Sequence, residues 1–220
     1  MPAPESRVAY VSGVRLPGWV ERFAASHGTV TMEELDGGLQ LSASDGAVAL
    51  LQVPWPADGR PGRGSDALER LASLAAQSRT LGLVLVRRGG YSVAVVRDGA
   101  AVVSKTGTRN IQSRTAAGGS SQQRFARRRS NQADALVGAV SEHAGRIFEG
   151  QRIEYLVPGG DRALAEQVLS QPALKRYAAL SRLPFLDVPD PRASVLKQTA
   201  ADACSVRILV TDPRSPPPLR

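Results

Sequence analysis

The sequence predicts an α+β fold (α/β-type), a mixed central β-sheet flanked by helices, and three observations lead to it. Apolar runs of strand length, joined by tight glycine-containing turns, occupy residues 39–53 and 81–104. Segments with apolar residues at helical spacing stand before, between and after them. From residue 125 onward helix and strand patterns alternate, the arrangement that lays helices over a sheet as crossovers.

Residues 8–11 read as a short strand, and a helix opens near Pro17 with Trp19, Val20 and Phe23 on one face. Leu39, Leu41 and Ala43 alternate, and after the turn Ser44-Asp45-Gly46 residues 48–53 form a second apolar run, which predicts a hairpin. Residues 54–64 are too dense in Pro and Gly for either period and read as loop or linker. Ser65-Asp66 is an N-cap signal for a helix through Leu68, Leu71, Leu74 and Ala75. Residues 81–86 and 91–96 are strands around the turn Arg87-Arg88-Gly89-Gly90, and Asp98-Gly99 turns into a third strand at 100–104. This meander is expected at the centre of the sheet.

Residues 105–123 show neither period and are expected to be a long polar loop, a kind of segment that often carries function. The next helix has Phe125, Leu136, Val140, Ala144 and Ile147 near one face and stops at Gly150. A strand at 152–157, the turn Pro158-Gly159-Gly160 and a helix from Asp161 through Leu164, Val168 and Leu169 follow. Residues 180–188 suggest a strand, 193–203 a helix and 204–210 a terminal strand. The expected organisation is an N-terminal helix and hairpin extension at 1–64 packed on the main domain, that domain at 65–210, and a disordered Pro-rich tail at 211–220.

Hydrophobic residues make up 42% and charged residues 22%, and no apolar run approaches the roughly 18 residues of a membrane span, so no membrane association is expected. The N-terminal residues lack a basic segment followed by an apolar stretch, which makes the cytoplasm the expected location. Cys204 is the only cysteine and lies at the start of an apolar run, where a buried structural thiol is expected. With only His27 and His143 beside it, little material exists for a metal centre, and neither metal nor cofactor is expected. A net charge of +8 points to a polyanionic partner.

That charge is concentrated. No Asp or Glu occurs between Asp98 and Asp134, an interval that holds Lys105, Arg109, Arg114, Arg124, Arg127, Arg128 and Arg129. An isolated Arg-Arg-Arg run is commonly just a solvated face. Here it adjoins the polar loop Gly118-Gly119-Ser120-Ser121-Gln122-Gln123, and a Gly-rich loop entering a helix brings free backbone N–H groups to a phosphate or carbonyl. Guanidinium forks suit phosphate oxygens.

The segment from Gly118 to Arg129 resembles the catalytic segment of the middle domain of eukaryotic and archaeal class 1 peptide-chain release factors, in which a Gly-Gly-Gln tip runs into an Arg-Phe-Ala-Arg helix. Arg124-Phe125-Ala126-Arg127 and the glycine pair match it, whereas Ser120 stands where those factors have glutamine. Gly119-Ser120-Ser121-Gln122 instead fits the Gly-x-x-Gln spacing of the Vms-like release factors of ribosome quality control, so the chain resembles a bacterial member of that family, of the actinobacterial type. The likeness spans about residues 78 to 203 and implies an RNase H-like middle-domain fold.

What the resemblance implies is a monomeric peptidyl-tRNA hydrolase acting on the large ribosomal subunit in ribosome rescue or quality control, independently of a codon. Gln122 would be the catalytic residue, with Gln123 as the alternative, and Gly118, Gly119, Ser120 and Ser121 would shape the tip. Lys105, Arg109, Arg114, Arg124, Arg127, Arg128 and Arg129 would position RNA without reading its sequence. Phe125 reads as a core anchor, and His143, Tyr91 and Tyr155 as packing residues. Two other readings are a non-catalytic ribosome- or RNA-binding factor of the same fold, and a nuclease on a related sheet, although the loop region lacks a carboxylate cluster for paired metals.

Overall fold

A computed structural model of the chain describes residues 6–56, 58–108 and 121–212; within 121–129 it describes the backbone and, of the side chains, only Arg127. In chain order the elements are β1 (Ser6–Val11), a 3-10 turn (Gly13–Arg15), α1 (Leu16–His27), β2 (Val30–Leu35), β3 (Gly38–Ala43), β4 (Val48–Gln52) and α2 (Ala67–Ala75). There follow β5 (Thr80–Arg87), β6 (Gly90–Arg97), β7 (Ala100–Thr108), α3 (Ser121–Phe148), β8 (Tyr155–Gly160) and α4 (Arg162–Leu169). A second 3-10 turn (Pro172–Tyr177), β9 (Ser181–Arg182), α5 (Ala193–Ala203) and β10 (Val206–Thr211) complete the described chain. The fold is α+β, with two five-stranded sheets in place of the single one expected.

The chain divides into two compact units, Met1–Ser78 with Cys204–Arg220, and Arg79–Ala203. This grouping puts α2 and β10, read above as parts of a domain at 65–210, with the N-terminal elements. The physical reason lies in the pairing of β10, which runs antiparallel to both β1 and β4.

The sheet of the first unit has the order β1-β10-β4-β3-β2 and is antiparallel throughout. Leu39, Leu41, Ala49, Leu51, Val206, Ile208 and Val210 bury one face of it against Leu16, Val20 and Phe23 of α1 and Leu71 and Ala75 of α2. Pro17 sits in the first turn of α1, where its missing N–H costs no helical bond. Asp66 caps α2 by accepting a hydrogen bond from the Glu69 N–H at 2.8 Å.

The described residues of 54–64, expected as loop or linker, contain no regular element but pack on α2. The Trp55 indole N–H donates to the Leu74 carbonyl at 3.1 Å, and the Arg63 N–H donates to Ser73 Oγ at 3.1 Å. A Cβ on Gly62 would stand 1.9 Å from the Arg70 carbonyl oxygen, so glycine there permits the close approach.

The second sheet has the order β7-β6-β5-β8-β9, antiparallel from β7 to β5 and parallel from β5 to β9. Its centre is β5, and the meander forms one half, with β7 as an exposed edge. On one face Val84, Val86, Tyr91, Val93 and Val95 meet Leu136, Val137, Val140, Ala144 and Phe148 of α3 and Leu164, Ala165, Val168 and Leu169 of α4. Phe148 is fully buried and lies within 3.0 Å of where a Cβ on Gly82 would be, so that glycine makes room for the ring. On the other face α5 packs against β6 and β7, and the Ser92 hydroxyl donates to the Pro191 carbonyl at 3.2 Å.

Three local expectations are corrected by the structure. Pro158-Gly159-Gly160 is the end of β8 rather than a turn, in parallel register with Val84, Leu85 and Val86. The glycines serve close packing, since a Cβ on Gly159 would stand 2.7 Å from the Leu186 carbonyl oxygen, and Gly160 has φ of +95°. The strand expected at 180–188 shrinks to Ser181–Arg182 with one further bridge from Leu186 to Gly159. Pro184, which has no N–H to give, lies between them. Cys204 is half-buried rather than buried. No helix among the described residues is long and apolar enough to cross a membrane.

Candidate functional site

The basic, acid-free interval runs from the end of β7 into α3. Both described ends of the polar segment expected at 105–123 are regular structure. Lys105 lies within β7, opposite Val93, and Ser121, Gln122 and Gln123 form the first residues of α3. No Pro or Gly stands between Ser121 and Gly138, so nothing in the local sequence opposes a helix there. Arg109, Arg114, Gly118, Gly119 and Ser120 lie outside the described residues. Gln122, Gln123, Arg124, Phe125, Arg128 and Arg129 are placed as helix backbone, and Arg127 is exposed.

At 28 residues, α3 is about 42 Å long. Among the described residues its contribution to the hydrophobic cluster begins at Ala133, and Ser130 and Asn131 are exposed. The apolar residues from Ala133 onward therefore anchor the helix, and the arginines precede them in sequence. The start of a helix leaves its first N–H groups without intrahelical acceptors, and the positive end of the helix dipole lies at the same place. Unsatisfied donors, the dipole and guanidinium groups all favour an anion or a developing oxyanion.

The base of this arrangement is held by an aromatic contact that the sequence reading missed. Tyr91 of β6 stacks on His143 of α3, with ring centroids 5.7 Å apart and planes 15° apart. Tyr91 is opposite Gly107 in the β6 and β7 register, and a Cβ on Gly107 would stand 2.6 Å from the tyrosine Cε1. On the opposite face the Ser92 and Thr106 hydroxyls are 2.9 Å apart. Together these contacts fix the strand from which residues 109–120 depart. The available signal was the glycine inside a strand pattern, directly across from a tyrosine.

Burial, then the charges of Arg146 and Lys105, hold the His143 pKa below the ordinary histidine value, with Glu142 opposing. His143 is thus a neutral packing ring in a positive field at neutral pH, in keeping with the packing role expected of it. Tyr91 and Tyr155 are both buried. Among the described residues no three His, Cys, Asp or Glu side chains come together in a way that could hold a metal ion.

The sequence places the chain in the class of release-factor domains. The family model described as Actinobacteria/chloroflexi VLRF1 release factor matches residues 79–209, more than half of the sequence, and the chain belongs to that family. The match covers the second unit and continues into β10. No curated protein matches the chain. A solved structure described as an archaeal protein is similar at 14% identity with a TM-score of 0.30, over 72% of this chain and 48% of that one. The present chain therefore spans about half the length of that protein.

Proposed function

We propose that the chain is a ribosome-associated peptidyl-tRNA hydrolase, a codon-independent release factor of ribosome rescue or quality control that works through its Gly-x-x-Gln segment. The observation that carries this reading is the position of Gln122 in the first turn of a basic helix, in a chain of a release-factor family. The large subunit and peptidyl-tRNA are the partners, and the cytoplasm is the site of action.

The reaction is acyl transfer from the terminal ribose to water. Water attacks the ester carbonyl carbon, the bond to the ribose oxygen breaks, and the ribose oxygen takes a proton. Glutamine has no useful pKa, but its side-chain amide can orient the water. The Gln122 backbone N–H belongs to the set that a helix start leaves free, so it is available to the tetrahedral oxyanion. Gly118, Gly119, Ser120 and Ser121 allow the tip to approach RNA closely, and Lys105, Arg109, Arg114, Arg124, Arg127, Arg128 and Arg129 hold phosphates.

The test uses purified protein with three substrates: whole ribosomes bearing peptidyl-tRNA without a stop codon, isolated large subunits bearing it, and free peptidyl-tRNA. Release from a ribosomal substrate is expected, with Gln122→Ala inactive yet still bound. An active Gln122→Ala beside a dead Gln123→Ala moves the catalytic position by one residue. Release unaffected by either substitution would remove the Gly-x-x-Gln chemistry, and no release from any of the three substrates would leave a binding factor.

A further inference from the structure

We propose that the first unit carries a separate binding site for an unpaired nucleotide of single-stranded RNA, in the cleft between α1 and the β1 edge of its sheet. Trp19, Phe23 and His27 recur every fourth residue along α1 and therefore share one face. Their rings form a ladder, Trp19 on Phe23 at 5.5 Å with planes 12° apart, and Phe23 near His27 at 4.7 Å and 40°. Phe23 is buried and fixes the ladder, while Trp19 and His27 remain partly exposed. They line a cavity of about 220 Å³ together with Arg7, Arg22 and Ser26.

The ring face and the two guanidinium groups give this cavity its chemistry. Arg22 is exposed and makes no ion pair among the described residues. Arg7 has a side chain 65% exposed and lies 3.5 Å from the Asp212 carboxylate, which leaves most of its fork open. His27 is held in place by Asp45, whose carboxylate is 2.8 Å from Nδ1, and Asp212 is 3.9 Å from Nε2. An aromatic face beside two arginine forks matches a flat base next to its phosphates. A duplex offers no free base face, so a single strand fits the cleft better. Arg7, Trp19 and Arg22 all precede residues 79–209, the part matched by the release-factor family, and this site is independent of Gln122.

Titration of the full chain with a fluorescein-labelled twelve-residue oligouridine tests the site, read as anisotropy and as tryptophan emission. Because Trp55 is only 2% exposed, a change in tryptophan emission reports on Trp19. Saturable quenching is expected, lost when the strand is annealed to oligoadenosine. Trp19→Leu should weaken binding at least about fivefold and abolish the quench, with Trp19→Tyr, which keeps a ring, restoring most of the affinity. The double variant Arg7→Gln/Arg22→Gln should lower the slope of log affinity against log salt by about 1.4, the value for two phosphate contacts to a single strand. Wild-type affinity and slope in these variants would overturn the proposal. So would uridine monophosphate competing as well as the oligonucleotide, which would make this a mononucleotide site.

Discussion

The Tyr91 ring stacks on His143 at 5.7 Å and fills the space beside Gly107, so one phenol joins β6, β7 and α3. A methyl group at residue 107 would meet Cε1 and Cζ of that ring at 2.6 Å. Gly107→Ala therefore has to displace Tyr91 from His143 or bend the end of β7. Overpacking of this kind costs about 1–3 kcal/mol. For a chain of this size, each kcal/mol lowers the melting midpoint by about 2–4 °C. Calorimetry of Gly107→Ala should show that loss, and an unchanged midpoint would mean that the ring moves aside without cost.

His143 gives stability a pH dependence of definite sign. Its folded-state pKa lies below the ordinary value of 6.5, chiefly through burial and then through Arg146 and Lys105, with Glu142 opposing. The unfolded chain thus takes up the proton more readily than the folded one. Stability is fully present above pH 6.5 and is lost as pH falls through the lower, folded-state pKa. Urea unfolding of wild type between pH 8 and 5 should weaken towards the acid end, and His143→Phe, which keeps a ring for Tyr91, should show less of that weakening. Identical pH profiles for the two proteins would remove His143 as the cause.

Arg127 is exposed in the part of α3 that precedes the hydrophobic anchor, so its loss should leave stability nearly untouched. Its proposed role is contact with phosphate. Arg127→Gln should weaken ribosome association uniformly and lower the salt slope by about 0.7–0.9, according to the strandedness of the RNA contacted. Cosedimentation at a series of salt concentrations measures both. A variant with the wild-type slope would place Arg127 away from RNA.

The sequence made the strongly periodic elements legible: the 39–53 hairpin, the 81–104 meander, α3 and α5 all occur where their apolar patterns place them. It concealed β2, whose residues are exposed at five of six positions and so lack an apolar alternation. Pro158-Gly159-Gly160 has the composition of a turn, but β5 and the chain at Leu186 approach it from both sides and exclude side chains. Composition records the need for glycine, not whether a turn or a crowded strand creates it. The basic interval was legible by charge alone, whereas the Tyr91 and His143 contact depends on a strand and a helix more than fifty residues apart meeting in space. The most remote pairing, β1 with β10, left no local trace, because periodicity identifies a strand without identifying its neighbour.

That pairing makes the far end of the described chain responsible for the N-terminal fold. Ile208 is fully buried, stands opposite Ala9 on β1 and Leu51 on β4, and faces the cluster that holds α1 and α2. Ile208→Ala leaves a cavity at the middle of that sheet, at a cost of about 2–5 kcal/mol. The interior strand that carries it also supplies hydrogen bonds to both neighbours, so loosening it exposes two strand edges at once. Limited proteolysis followed by mass spectrometry should show faster cleavage within residues 6–78 in Ile208→Ala, although the substitution lies more than a hundred residues away in sequence. An unchanged cleavage rate there would mean that β10 is dispensable to the first unit.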